Sequence, residues 1–445
     1  MSAIRSLGLG AAIGCLAAPS AAAQAAKTCQ LQVDNVDRQG MSSTVAGSTN
    51  YFAGGNVRLH CVGQEVRIWT DSVASYQGQV VQFIGHFRYQ DQEAHVTSDF
   101  GTYYKDNERW EAQGHVVYVN RPDSSRLEGP NARYYRRIKG TRDQEEVEAD
   151  QRPRLTLAAK DSAGRLAEPY RVVADRIRLR GDDQMWGGGN VTIDRSDLQA
   201  RSDSVALDTG KGSAGVLLGH ASLRRTVSDS FALAAKRIDL TLLKRELSAV
   251  TGRDSATLTS RELDLSGETI ALRLKDRKVV QTLAWGAAQK PRALADEYQV
   301  RGDSLALDTP NETLKELRAF RGGWVGFKPD TAKGEQDWLA GDTVVATFEE
   351  RPPAPGGGRK SALRRLEAKR SAHSFYRVAG SGTGARPSIA YSRADHIVLF
   401  MQSGDSLQVE RVEMTGNVDG VQLEPKAAKP DTVKKDTSAV KPRKP

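Results

Sequence analysis

The segment Ala174-Asp175-Arg176-Ile177-Arg178-Leu179-Arg180-Gly181-Asp182-Asp183-Gln184-Met185-Trp186-Gly187-Gly188-Gly189-Asn190-Val191 decides how this chain is read. Its first third alternates polar and aliphatic residues with period two, which sets Ile177 and Leu179 on one face of a strand. Arg180-Gly181-Asp182-Asp183 has turn chemistry, and a second strand follows. That strand ends on a glycine, a polar residue and an aliphatic one. The unit is therefore strand, tight turn, strand, with a glycine where the chain bulges or bends.

The same unit recurs along the sequence. Its acidic opening returns as Thr70-Asp71-Ser72-Val73, Ser202-Asp203-Ser204-Val205-Ala206-Leu207, Gly302-Asp303-Ser304-Leu305-Ala306-Leu307, Gly341-Asp342-Thr343-Val344 and Ala394-Asp395-His396-Ile397-Val398-Leu399. Its glycine close returns as Ile84-Gly85-His86-Phe87, Gln113-Gly114-His115-Val116, Leu218-Gly219-His220-Ala221 and Thr415-Gly416-Asn417-Val418. One unit cannot bury its aliphatic face alone, whereas stacked units make a continuous apolar interior. The recurring glycine supplies the positive φ or close backbone approach that such stacking needs. Ile177, Leu179, Val205, Leu207, Ile270, Leu272, Leu305, Leu307, Ile397 and Leu399 are the candidates to line this interior and to hold hydrocarbon there. Unliganded, the same side chains would fill their own core.

Composition agrees with a thin β-architecture. Hydrophobic residues make up 39% and charged residues 27%, with 41 glycines, a balance suited to strands with one wet face. The formal charge of +9 is uneven: residues 426–445 hold six Lys, one Arg and two Asp. This Lys/Pro-rich tail is expected to be disordered, either solubilising the chain or attracted to anionic head groups. The rest is too near neutral to suggest nucleic-acid binding.

The chain start reads as an export signal. Arg5 is followed by the apolar run Leu7–Ala18 and by Ala21-Ala22-Ala23-Gln24, a small-x-small cleavage pattern. Residues 1–26 are assigned to it. Ala12-Ile13-Gly14-Cys15 is a faint lipoprotein box, so acylation of Cys15 stays open as an alternative. No later stretch comes near the roughly 18 apolar residues of a membrane-spanning helix. In an oxidising compartment Cys29 and Cys61 read first as a disulfide, with two free thiols as the alternative.

Chemical motifs are missing. There is no GxSxG, HExxH or Walker loop, and Gly187-Gly188-Gly189 falls inside the repeat. An aspartate at every strand start suits a turn or capping device. His86, His115 and His220 share one repeat position with Asn190 and Asn417, which argues against metal ligation. The expectation is a binding protein without metal or cofactor, not an enzyme.

These units resemble the OstA-like family of lipopolysaccharide transport proteins, also called the organic solvent tolerance-like N-terminal domain. In that family a strand opening on Ala-Asp alternates with one closing on Gly-Asn-Val. Ala174-Asp175 leading to Gly189-Asn190-Val191 is similar to it, as is Ala394-Asp395 leading to Gly416-Asn417-Val418. Arg152-Pro153-Arg154-Leu155 resembles the family's proline segment. The likeness covers about residues 56–424. Arg321-Gly322-Gly323-Trp324 and Leu265-Ser266-Gly267-Glu268 depart from the pattern.

The resemblance implies an all-β, elongated, twisted jellyroll, open along one edge, that cradles acyl chains and stacks end to end with other jellyroll transport components. It implies lipopolysaccharide or another envelope amphiphile as cargo, outer-membrane assembly machinery as partner, and a periplasmic location associated with the outer membrane. The repeats are divided here into blocks 27–225 and 226–425, as one trough or as stacked units. Breaks are expected near 139–150, 224–230 and 328–337. The rival reading is a structural β-solenoid or surface adhesin with a filled core. Uneven spacing, 28 residues from Asp71 to Asp99 against 53 from Asp342 to Asp395, favours the jellyroll.

Overall fold

The computed structural model describes residues 29–424, apart from 44–46, 139, 161–165, 211–212, 227–230, 244–245, 296, 328–335, 351–360, 379–387 and 403–408. The expected signal segment 1–26, with Cys15, and the basic tail 426–445 lie outside the described residues. What is described is all-β. Its 28 strands form one antiparallel network, and its helical content is a single 3-10 turn, Pro310–Glu312.

Each long strand is bent near its middle, and the bend explains the repeat. Strand Val80–Gln90 pairs Ile84 with Ser72 and then Arg88 with Trp69, so Gly85-His86-Phe87 and Thr70-Asp71 drop out of that ladder together. Strand Gln184–Arg195 does the same on either side of Gly189-Asn190. Gly189 and Asn190 both take left-handed conformations, φ 77° and 46°. Two consecutive such residues turn a strand sharply, and glycine and asparagine tolerate the region best. The glycine is required for a second reason: a β-carbon at Gly189 would sit 2.2 Å from Asp175 Oδ2.

The aspartate on the neighbouring strand holds the corner. Asn190 Nδ2 donates to Asp175 Oδ2 at 3.0 Å and Asn417 Nδ2 to Asp395 Oδ2 at 2.9 Å. His86 Nδ1 lies 2.7 Å from Asp71, His115 Nδ1 2.8 Å from Asp99, and His220 Nδ1 3.0 Å from Asp203. The hydroxyls of Ser98 and Ser202 donate to Phe100 and Ser204 carbonyls inside the bend. Cations also reach corner aspartates: Arg152 Nη1 lies 3.0 Å from Asp175, beside Asn190, and Lys290 Nζ lies 2.7 Å from Asp303.

Bending every strand at one level divides the network into two walls that share a bent edge. Strand Glu146–Asp150 in the first wall continues past the corner as Arg154–Lys160 in the second. Leu166–Val173 in the second returns as Arg176–Arg180 in the first. Together with Arg126–Tyr135 and Gln184–Arg195, these four close a six-strand ring of pairings. The same arrangement recurs between Asp264–Lys275 and Glu316–Phe327. Strand Ala214–Arg225 pairs with Ala232–Leu243 from Ala214↔Thr241 to Arg224↔Ala232. The repeat blocks divided at 225/226 therefore share one sheet.

The walls enclose one apolar cluster running from Cys29 to Met401. Cys29 and Cys61 are joined by a disulfide, Cα–Cα 5.2 Å, which ties the chain start to strand Thr49–Cys61. Opposite the bend, the walls meet through side chains.

Two outcomes are expected. Gly189→Ala destabilises the chain by about 1–2 kcal/mol or more, since it combines a left-handed Cβ with the clash. In a double-mutant cycle Asp175→Ala recovers part of that loss, because the clashing carboxylate is gone. Additive losses in denaturant titrations would show the two residues to be independent. Reducing the Cys29–Cys61 bond closes a loop of sequence separation 32 no longer, and lowers unfolding free energy by about 3–4 kcal/mol, read as a drop in denaturation midpoint.

Candidate functional site

The space between the walls is the candidate site. Ile177, Val205, Ile270, Leu305 and Ile397 are buried and lie on one cross-strand row of the first wall. That row runs Ile177–Gly187–Val205–Leu217 and later Gly252–Ile270–Ala284–Leu305–Ala319. In it, branched side chains on the strands that start at the acidic corner alternate in places with glycine or alanine on their neighbours. The alternation leaves hollows between ridges, into which the facing wall packs.

Leu179, Leu207, Leu272, Leu307 and Leu399 form a second row, nearer the free edge. Leu179, Leu272, Leu307 and Leu399 are buried, and Leu207 is half-buried against the cluster. All ten candidates thus share the inner face of one wall. The facing wall contributes Val172, Val191, Ile193, Leu223, Leu258 and Leu265, all buried. The sequence held a signal for these: the aliphatic residue that follows each corner, Val191 among them.

The interior changes character along its length. Between strands Val80–Gln90 and Arg126–Tyr135 it is filled by aromatic rings. Trp110 stacks on Tyr103 at 4.4 Å and meets Tyr89 at 4.6 Å, while Phe83 and Phe87 lie 5.1 Å apart. Past strand Gln184–Arg195 the interior is built mainly of Leu, Ile, Val and Ala. Reading aliphatic alternation alone misses this aromatic end.

The edge opposite the bend is a seam of polar contacts between turns of the two walls. At the aromatic end, Asp91 of the second wall accepts from Tyr89 Oη at 2.5 Å and from Tyr134 Oη of the first wall at 3.1 Å. Arg136 Nε lies 3.7 Å from Asp91, and Arg136 Nη1 donates to Glu108 at 3.1 Å. Cys29 N donates to Glu108 as well. Burial, then the Asp91 charge, push the Tyr89 phenol well up. Burial alone would lower the Arg136 guanidinium, but the Tyr89 and Glu108 charges raise it, so the network holds one firmly charged cation among acceptors.

Further along the seam Arg225 of the second wall pairs with Glu312 of the first, and Ser361 of the first donates to Glu262 of the second. Asp197, in a second-wall turn, is bonded by Arg195. Burial would raise its carboxyl, but the Arg195 bond and the charges of Arg195 and Arg277 hold it below the usual range. Arg277 comes from a first-wall turn, so its field acts across the seam.

Beneath this stretch lies a cavity of ≈ 80 Å³. Its apolar wall includes Leu272 and Leu307 from the first wall and Phe231, Leu258 and Leu263 from the second; Arg225, Glu262 and Glu312 stand at its rim. Drug-sized ligands occupy about 300–1,000 Å³, so an acyl chain fits only if the walls part. Among the described residues no group of three or more His, Cys, Asp or Glu could hold a metal ion.

The lowered Asp197 carboxyl sets a pH dependence. Its stabilisation is fully present above the ordinary aspartate pKa of about 3.9 and is lost as pH falls through its folded-state value. Asp197→Asn is expected to flatten the loss of stability below about pH 4, measured by urea denaturation across pH; an unchanged acid limb would remove Asp197 from the seam's electrostatics. With this geometry in hand, comparison with known proteins adds no relative: no family model and no curated protein matches the chain.

Proposed function

We propose that this chain carries a lipid of the cell envelope, lipopolysaccharide or another amphiphile, with acyl chains held between its two walls and head groups in water. One observation supports this most: a single apolar interior runs the length of the fold between walls that are continuous along one edge and meet by side chains along the other. Burying hydrocarbon against such walls is favourable by about 25 cal/mol per Å². The carrier works by binding, in the periplasm, next to outer-membrane assembly machinery.

The two ends of the fold suit stacking with other jellyroll components. Among the described residues, Leu31–Asn35 and Arg38–Ser43 pair with strand Thr49–Cys61 on one side only. Among the described residues, Val409–Thr415 and Asp419–Leu423 pair only with strand Ser388–Met401. Val33 and Met41 at one end, and Val421 and Leu423 at the other, are exposed. Unpaired strand edges with apolar neighbours template further strands.

The tightly filled interior favours a second reading, a structural solenoid or adhesin without cargo. Lipid mass spectrometry of the protein purified from a native-like envelope separates the two. Stoichiometric amphiphile in the wild type, reduced at least tenfold in a folded Leu207→Asp variant, is the outcome expected of a carrier. Leu207 is the half-buried member of its row, so the variant keeps its fold more readily than Leu307→Asp. A folded wild type that carries no lipid and takes none up would establish the structural reading.

A further inference from the structure

We propose that the seam above the ≈ 80 Å³ cavity is the portal through which an acyl chain passes between the walls, latched by Arg225–Glu312 and Glu262–Ser361. This rests on the lipid-carrying reading and adds where the cargo enters and what it must displace.

The mechanical argument is an asymmetry between the two long edges. At the bend the walls are one continuous chain, strand after strand, and cannot separate. At the opposite edge, the backbone pairings described above run along each wall. Among the described residues the walls there are joined by side chains from strand ends and turns. Opening must therefore occur at the seam, with the bend as hinge.

The seam is not uniform. At the aromatic end five side chains and a backbone amide interlock around Asp91 and Glu108, above rings packed in contact. Among the described residues of the aliphatic stretch, Arg225–Glu312 and Ser361–Glu262 join the two walls, with the rings of Tyr298 and Phe348 6.0 Å apart between them. The cavity lies under this stretch, with both latches at its rim or beside it. It already holds room for about three waters at ~30 Å³ each, yet its floor is Leu258, Leu263, Leu272 and Leu307. A void with apolar walls gains most from an apolar occupant.

The rim chemistry selects the cargo. When Arg225 leaves Glu312 it keeps a full charge at the mouth of an apolar slot. An incoming carboxylate or phosphate pairs with it, so its own desolvation is offset as Glu312 is released to water. The ligand class is an anionic amphiphile that inserts one chain first. Lys278 Nζ, 3.9 Å from Glu312, remains to compensate the freed carboxylate.

The test uses the full chain with Cys15→Ser and the native disulfide kept. Arg225→Cys and Glu312→Cys are bridged by a short thiol-reactive cross-linker, and uptake of a fluorescent long-chain fatty acid is followed. The control bridges Arg178→Cys to Glu146→Cys, neighbours within the first wall at 2.8 Å. The expected result is at least tenfold slower uptake with the seam bridged, recovery when the bridge is cleaved, and no effect of the control bridge. Arg225→Ala/Glu312→Ala should speed uptake and expose a Leu272→Cys thiol to maleimide. Unchanged uptake with the seam bridged overturns the portal and leaves the carrier standing. No uptake by any form, wild type included, overturns the carrier and the portal with it.

Discussion

Everything in this fold depends on the contact between a left-handed residue pair and an aspartate on the next strand. A β-strand keeps its side-chain alternation only while it stays extended. Two consecutive left-handed residues bend it without changing which face looks inward: Phe83 and Phe87, on either side of Gly85-His86, are both buried. Such a pair costs conformational energy, for the non-glycine residue about 1–2 kcal/mol. The bend is stable because its polar groups are satisfied on the spot, by carboxylate to imidazole or amide and by hydroxyl to carbonyl. Because the corner recurs in register, the walls it generates are parallel layers, and the space between them is one space.

The corner also explains the histidines. His86, His115 and His220 are almost fully solvent-exposed, with side-chain exposures of 88%, 92% and 92%, and each spends one ring nitrogen on an aspartate. They stand where asparagine stands at 190 and 417, which makes them interchangeable corner donors. Reversals of the pattern are informative too. Strand Glu246–Thr259 puts Asp254-Ser255 in the left-handed pair, and its neighbour Ala232–Leu243 carries Lys236 at the bend in place of an acid. The requirement is for a compact polar pair at the corner, whichever strand supplies the charge.

The repeat, the strand class and the inward face of one wall were legible in the sequence because each has a short period. Ile177 and Leu179 declare themselves by alternation, and Gly189-Asn190 by its recurrence. The pairing of the two walls was not legible. Arg225 and Glu312 are 87 residues apart and Glu262 and Ser361 99 apart, and each sits at a strand end or in a turn, where no periodicity marks it. Nor did the pattern announce the aromatic end. Tyr89, Trp110 and Tyr134 occupy inward positions that aliphatic residues fill elsewhere, and only their packing against one another shows that the interior here is filled by rings.

That ring-filled end changes what a two-walled fold can do. Parting the walls exchanges wall–wall contact for wall–chain contact, and where both surfaces are aliphatic the apolar area leaving and re-entering burial is similar, so the hydrophobic term nearly cancels. The resistance to opening then comes from the seam. A part-buried ion pair such as Arg225–Glu312 is a suitable closure, since its net contribution is small while both partners remain and larger when one is stranded. In the portal proposed above, such a pair would hold the walls together against thermal parting and give way to a ligand that replaces the lost partner. Interlocked rings offer no such exchange: separating Trp110 from Tyr103 and Tyr89 forfeits aromatic contacts worth about 0.5–1.5 kcal/mol each beyond area, which a flexible chain does not restore. On that proposal one continuous core combines an end packed with rings and a stretch built mainly of aliphatic side chains, and this distribution decides where the walls would part.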